Sequence, residues 1–272
     1  MTDSNNILEV EHLSLHFGRG EGLVKAIDDV SFTVAKGETV ALVGESGSGK
    51  SMSALSLTGL VPRVARIEGG KVIFGGQDLL TLNERELREI RGSRISYIFQ
   101  EPMVSFNPVF TIGWQIEEAL KLHRKGIERK AEVERLLDIV HLPSRLAEAY
   151  PHQMSGGQLQ RCMIAMALAC SPDLLVADEP TTALDVTVQR EILNLLAELS
   201  EKTGQSVLMI THNFGIVADL ADRVYVMQKG KVVEEGTTSQ VLYDPQHQYT
   251  KQLMAAVPRL HPKEGGGVGP RI

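Results

Sequence analysis

Residues 44–51 read Gly-Glu-Ser-Gly-Ser-Gly-Lys-Ser. A backbone this rich in glycine can curl so that the N–H groups of Gly44, Glu45, Ser46, Gly47, Ser48 and Gly49 turn towards phosphate oxygens. Lys50 then neutralises β- and γ-phosphate charge, and the Ser51 hydroxyl is placed for Mg²⁺. An apolar run at 40–43 precedes the segment, and Met52, Ala54, Leu55, Leu57 and Leu60 follow it. The loop therefore joins a buried strand to a helix whose N-terminus adds positive potential. Spacing and context match the P-loop pattern G-x-x-x-x-G-K-[ST]. A second apolar run, at 174–177, ends in Asp178 and Glu179. Beside a P-loop, such an Asp holds the Mg²⁺ shell. Glu179 projects at a different angle and can polarise the water that attacks the γ-phosphate.

These groups need a rigid frame. Apolar alternation over 7–17 and 30–34 predicts antiparallel strands, and 71–74 leaves through a turn at Gly75-Gly76 in the same small sheet. Continuous apolar runs at 40–44, 95–100, 174–178 and 207–211 predict strands buried on both faces. A long helix over 186–201 separates the last two runs, which implies a βαβ core. Between 111 and 149 the period changes to 3.6, with Ile112, Ile116, Ala119 and Leu120 on one helix and Val133, Leu136, Leu137 and Val140 on the next. This stretch reads as a helical insertion. Residues 223–233 read as a hairpin turning at Lys229-Gly230, and Thr238 or Ser239 is placed to cap a short helix.

Composition narrows the classes further. Lys plus Arg number 28 against 34 Asp plus Glu in 272 residues, a net charge of −6, which disfavours a nucleic-acid partner held by a basic surface. The longest apolar run, 162–170, is far short of the roughly 20 residues that cross a bilayer as a helix. The polar residues 1–6 lead straight into a strand, so no signal peptide is expected. Cys162 and Cys170 stand about 80° apart around a helix and about 12 Å apart along it, too far for a disulfide. They read as structural thiols of a cytosolic protein. Of the histidines, His12 and His16 lie on one strand face about 13 Å apart. His123, His141, His247 and His261 read as surface residues, and His152 as one that shapes its loop.

With these elements in place, further motifs resemble those of the ABC-transporter ATPases. Met154-Ser155-Gly156-Gly157-Gln158 resembles the family signature, which most often begins with Leu. Gln100 takes the place of the Q-loop, Ala183-Leu184-Asp185 of the D-loop and Thr211-His212 of the switch, in the family's order over 7–260. The resemblance implies an α/β P-loop NTPase core with a small antiparallel β-subdomain and a helical subdomain inserted at about 101–165. It makes 1–260 the ATPase domain and leaves 261–272 as a flexible tail. It implies two ATP molecules, with Mg²⁺, sandwiched in a head-to-tail dimer between one subunit's P-loop and the other's signature. The second subunit is the same chain or a paralogue. Ser155, Gly156, Gly157 and Gln158 would reach the γ-phosphate across the interface, His212 would hold the attacking water, and Gln100 would sense Mg²⁺. Phe17 stands where the family places an aromatic that stacks on adenine, although a core Phe on a strand competes with that role.

Three stretches resemble the ATPase subunits of bacterial peptide and nickel importers: 100–108, 178–189, and Gln248-Tyr249-Thr250 with 253–260. That resemblance implies a peripheral subunit on the cytoplasmic side of the inner membrane. Two transmembrane permeases would be its partners, served by a solute-binding protein that delivers peptide, nickel or a related small solute. Asn213 departs from a common Asp, Gln248 from a Pro, and no cysteine-rich tail follows, so no iron–sulfur cluster is expected. The competing class is a soluble ABC ATPase acting on DNA or the ribosome. Its members carry long coiled-coil insertions or two cassettes in one chain, and neither stands in these 272 residues.

Overall fold

A computed structural model describes residues 5–182 and 184–256, without the side chains of Glu21 and Ala256. The expectations for Ala183, for the segment from 257 onwards and for residues 1–4 lie outside the described residues.

The chain opens with β1 (Asn6–Phe17) and β2 (Val24–Ala35), which pair antiparallel. It enters the molecule's centre as β3 (Thr39–Val43), continues into α1 (Lys50–Ser56), and returns to the edge through β4 (Ala65–Phe74), β5 (Gln77–Asp78) and α2 (Glu84–Ile90). After β6 (Ile95–Ile98) comes a helical stretch: α3 (Pro102–Ser105), α4 (Ile112–His123), α5 (Arg129–Ile139) and α6 (Gly156–Leu168). Alternation resumes with β7 (Leu174–Asp178), α7 (Val186–Thr203), β8 (Ser206–Thr211) and α8 (Phe214–Leu220). The hairpin β9 (Arg223–Gln228) and β10 (Lys231–Thr237) leads to α9 (Thr238–Tyr243) and α10 (Gln248–Ala256).

Two sheets result. The outer one has four antiparallel strands in the order β2-β1-β4-β5. The central one has six, in the order β10-β9-β3-β8-β7-β6, all neighbours parallel except the β9–β10 hairpin. Successive side chains of a strand face opposite ways, so β3 feeds two cores. Val40 and Leu42 pack with the four-stranded sheet and with Leu57 beside α1, while Ala41 and Val43 pack with Phe214, Val217 and Tyr249 on the other face. A third core joins α4, α5 and α6 to α7 and to the β7 side of the central sheet through Ile116, Leu137, Met163, Leu175 and Ile192. The inserted helices therefore share their apolar interior with the sheet.

Local chemistry adjusts several sequence expectations. β1 carries a bulge in which Glu11 and His12 oppose Ser31 alone, and both His12 (φ 51°) and Asp29 across from it (φ 63°) adopt left-handed backbone. The kink is bridged by His12 Nδ1 and Asp29 Oδ1 at 2.7 Å and by the His12 N–H donating to Ser31 Oγ at 2.9 Å. The cap of α9 is Thr237, one residue before the expected pair, because its hydroxyl and the Gln240 side chain form a reciprocal capping box. α1 stops at Ser56, short of Leu60, and β6 stops at Ile98, which leaves Gln100 outside the strand.

Candidate functional site

The site lies at the carboxyl ends of β3, β7 and β8, where parallel strands hand over to loops. All five residues of β3 are buried, so its exit is fixed. The loop that follows turns through glycines that no other residue could replace. A Cβ on Gly44 (φ 149°) would stand 2.2 Å from the Met227 carbonyl oxygen, and one on Gly49 (φ 104°) 2.5 Å from that of Ala26. The hairpin turn braces the loop from outside, with the Gly230 N–H donating to the Ser48 carbonyl at 2.9 Å.

Lys50, the first residue of α1, folds back across the loop and is 5% exposed. Its Nζ donates to the carbonyls of Gly44 at 2.8 Å and Glu45 at 2.9 Å and to Ser48 Oγ at 3.3 Å. Burial draws its pKa below the ordinary lysine value, against the opposing charges of Glu179, Asp178 and Glu45. The next residue, Ser51, donates through Oγ to Asp178 Oδ1 at 3.0 Å. Burial pushes the Asp178 carboxyl up, with Glu179 adding to the rise, while the Ser51 hydrogen bond and Lys50 pull it back in part.

Glu179 leaves the end of β7 with left-handed backbone (φ 46°), an uncommon state for a residue with a side chain and one that clusters at active sites. Its N–H donates to the Ile210 carbonyl at 2.8 Å, which pins the turn to β8. Its carboxylate is the meeting point of three loops. His212 Nδ1 lies 2.9 Å from Oε1, while Gln100 Nε2 donates to Oε2 at 3.2 Å and Thr182 Oγ1 at 2.8 Å. With a carboxylate as acceptor, Nδ1 carries the proton and Nε2 is left free to face a ligand. Burial works to raise the Glu179 carboxyl, but the hydrogen bonds from His212 and Thr182 and the charge of Lys50 outweigh it and hold it below its ordinary value.

The structure thus brings together the residues of 44–51 with Gln100, Asp178, Glu179 and His212. It keeps the signature apart. Ser155 caps α6, its hydroxyl accepting the Gln158 N–H at 3.3 Å while Gln158 Oε1 accepts the Ser155 N–H at 3.0 Å, and Gly156 and Gly157 open the first turn. Ser155 and Gly156 are exposed. Among the described residues no hydrogen bond or ion pair joins this segment to Lys50, Asp178, Glu179 or His212. Asp185 caps α7, accepting the N–H groups of Thr187 and Val188. Phe17 and Met52 are half-buried and lean on the core beneath the four-stranded sheet.

Two contributors escaped the sequence reading. Thr182 enters the sequence reading only within the stretch 178–189, although a hydroxyl three residues after a turn carboxylate is a readable local signal. Tyr249 is 6% exposed, and its hydroxyl accepts the Glu45 N–H at 3.1 Å. Nothing local marks that contact, since 204 residues separate the partners.

The chain's similarities fit this geometry. The family described as "ABC transporter" matches residues 27–182, and "Oligopeptide/dipeptide transporter, C-terminal region" matches 233–271. The chain is 53% identical over its whole length to the peptidoglycan transport ATP-binding protein YejF of Agrobacterium fabrum, of which it spans 50%. It is 50% identical over 93% of its length to the dipeptide transport ATP-binding protein DppD of Bacillus subtilis, spanning 77% of it. A similar solved structure is the dimeric ATP-binding cassette MJ0796 in a post-hydrolysis state with ADP and Pi. The TM-score is 0.77 at 30% identity, over 85% of this chain and 98% of that one. A glycine-rich loop folded around Lys50, a strand-end acid pair and an exposed Ser155-Gly156 helix start in one chain, with these matches, place the protein in the ABC transporter family of ATP-binding subunits.

Proposed function

We propose that this chain is the ATP-binding and ATP-hydrolysing subunit of a bacterial importer that takes up peptides or a related small solute through separate permeases. The observation that carries the reading is the meeting of a Ser51–Asp178 hydrogen bond with Lys50 and Glu179, whose charges act on Asp178. Among the described residues no group of three or more His, Cys, Asp or Glu could hold a metal. A serine hydroxyl beside one carboxylate instead suits a hard cation that keeps most of its ligands as water and phosphate, which is the habit of Mg²⁺. Bound there between Ser51 and Asp178, with Gln100 nearby, Mg²⁺ would offset phosphate charge.

The chain's own residues divide the remaining work. Lys50 exchanges backbone carbonyls for phosphate oxygens as the nucleotide enters, and N–H groups of 44–51 other than that of Glu45, which is held by Tyr249, line the same cradle. Glu179 orients and deprotonates the attacking water, with His212 positioning it through the carboxylate contact already formed. Phe17 faces adenine. Ser155, Gly156, Gly157 and Gln158 complete the site of a second cassette, because a helix N-terminus is suited to γ-phosphate and among the described residues no hydrogen bond joins this one to its own chain's Lys50, Asp178 or Glu179. Exposed apolar side chains follow Gln100: Met103, Val104, Val109, and Phe110 stacked on Trp114 at 4.0 Å. Such a patch suits two permeases, and among the described residues no helix is long and apolar enough to cross a membrane. The subunit would sit peripherally on the cytoplasmic side of the inner membrane.

The first test is Glu179→Gln. Turnover falls about a hundredfold or more, while ATP with Mg²⁺ drives the variant to twice its mass in gel filtration, or locks the assembled transporter where the partner ATPase is a paralogue. Turnover like wild type removes Glu179 from its role. Mass spectrometry of what copurifies with the tagged chain from native membranes tests the transport reading. Two permeases are expected, and a purely soluble retinue overturns it.

A further inference from the structure

The segment Gln248-Tyr249-Thr250 has so far only a likeness to explain it, yet its place in the fold is specific. α10 lies on the face of the central sheet away from the four-stranded sheet, with the Tyr249 ring packed among Ala41, Val43, Phe214 and Val217. Its approach is clamped. The two carboxylate oxygens of Glu234 on β10 accept the Gln246 N–H at 2.6 Å and the His247 N–H at 3.1 Å, and His247 Nδ1 accepts the Tyr249 N–H at 3.2 Å. Helix and ring together fix where the phenol oxygen stands.

That oxygen accepts the Glu45 N–H at 3.1 Å. The same peptide unit presents its other end, the Gly44 carbonyl, to Lys50 Nζ at 2.8 Å. One planar peptide therefore spans the distance between the tyrosine hydroxyl and the lysine ammonium, and a plane held at its N–H cannot swing its carbonyl. Glu45 N–H is thereby turned away from the cradle's interior and given to the C-terminal helix. Burial raises the Tyr249 phenol above its ordinary value, so the hydroxyl stays neutral wherever the protein works.

We propose that Tyr249 is a positioning residue of the phosphate cradle: its hydroxyl locks the Gly44–Glu45 peptide and so holds the loop, and Lys50 with it, ready for nucleotide. The inference rests on the reading of 44–51 as the nucleotide site. A glycine-rich loop loses much conformational freedom when it closes on a ligand, and a bond that fixes it beforehand lowers that cost. The C-terminal region thus bears on ATP affinity as well as on folding.

Tyr249→Phe removes the hydroxyl and keeps the ring. Isothermal titration of the full chain with ADP and with ATP should show both Kd values raised roughly three- to tenfold, the worth of one neutral hydrogen bond. Leu253→Ala, which thins the packing of the same helix, should lower the urea midpoint yet leave both Kd values within about twofold of wild type. In the assembled transporter Tyr249→Phe should raise the KM for ATP with kcat within about twofold. Unchanged or tighter Kd values in Tyr249→Phe overturn the proposal, as does an equal loss in Leu253→Ala, which would mark general loosening. A wild-type chain that binds neither nucleotide would instead remove the reading of the site on which the proposal stands.

Discussion

At the scale of single residues the proposed chemistry centres on the Glu179 carboxylate, which is also where it is most easily perturbed. Three donors reach it, from His212, Thr182 and Gln100. They favour the charged form, so the group lies below its ordinary value although burial pulls the other way. The sign of a variant's effect follows. Removing a donor weakens the preference for charge, raises the pKa, and makes the carboxyl take up its proton at a higher pH. Thr182→Val should therefore keep turnover within about tenfold of wild type at neutral pH while the acid limb of its pH–rate profile moves upward. The same linkage makes this carboxylate's contribution to stability present above its unfolded pKa and lost as pH falls through the folded value. An acid limb that stays in place would detach Thr182 from Glu179. His212→Ala should cost about 10²- to 10⁴-fold in turnover and leave the Kd for ADP within about twofold, since His212 touches the carboxylate and not the Lys50 cradle. A parallel loss of ADP affinity would make His212 a binding group.

At the scale of elements one guanidinium makes several of the polar links between the two sheets. Arg223 on β9 donates to Glu38 through Nε at 2.9 Å and Nη2 at 3.0 Å, to the Thr33 carbonyl on β2 at 2.9 Å, and to the Tyr225 hydroxyl at 2.8 Å. Arg223→Ala removes the guanidinium from Glu38, which keeps only the Ala35 N–H, and from the Thr33 carbonyl, and should lower unfolding free energy by about 2 kcal/mol, read from urea denaturation. A loss below about 0.5 kcal/mol would make the cluster an ordinary surface pair. In α6, burial pushes the Cys162 thiol up to about 12. Iodoacetamide at mildly alkaline pH should spare it in the folded protein and label it in urea, and labelling of native Cys162 would contradict its packing. The elements most legible beforehand were those with strong periodicity. The buried strands β3, β7 and β8 and the helices α4, α5 and α7 follow directly from apolar runs and 3.6-residue spacing, and with them came the cradle and the acid pair. Less legible was whatever depends on a partner far along the chain. β2 begins at Val24 rather than at 30 because its first half is held by pairing with Leu15, His16 and Phe17 at the end of β1, with no regular alternation of its own to announce it. Thr237 competes with two neighbours of like chemistry for the cap of α9, and only the Gln240 side chain decides between them. Tyr249 is marked in the sequence only by the likeness of 248–250 to importer subunits, and its contact with the loop at Glu45 exists only once the chain has folded.

At the scale of the whole molecule, half of the chemistry faces outward. Lys50, Ser51, Asp178, Glu179 and His212 converge, while Ser155 and Gly156 lie exposed at the start of α6 and touch none of them. A helix N-terminus left open to solvent holds unspent potential for an anion, and a γ-phosphate held by another chain would use it. On the proposed function turnover belongs to a pair, and where the pair is two copies of this chain the consequences can be measured on it alone. Specific activity of the isolated chain should rise with its concentration before levelling off, where a site complete in one chain would give a constant value. Ser155→Arg should abolish turnover by blocking the cap, and Lys50→Ala should abolish it by emptying the cradle. Neither defect lies in the same half of a composite site. Mixed in excess of the pairing constant, the two variants form pairs in which one site joins an intact cradle to an intact signature and the other carries both defects. Activity should return in the mixture to a fraction below half of wild type, although each variant alone is silent. A fully active Ser155→Arg, together with a specific activity independent of concentration, would place the whole reaction within one chain and leave the exposed signature without a catalytic task.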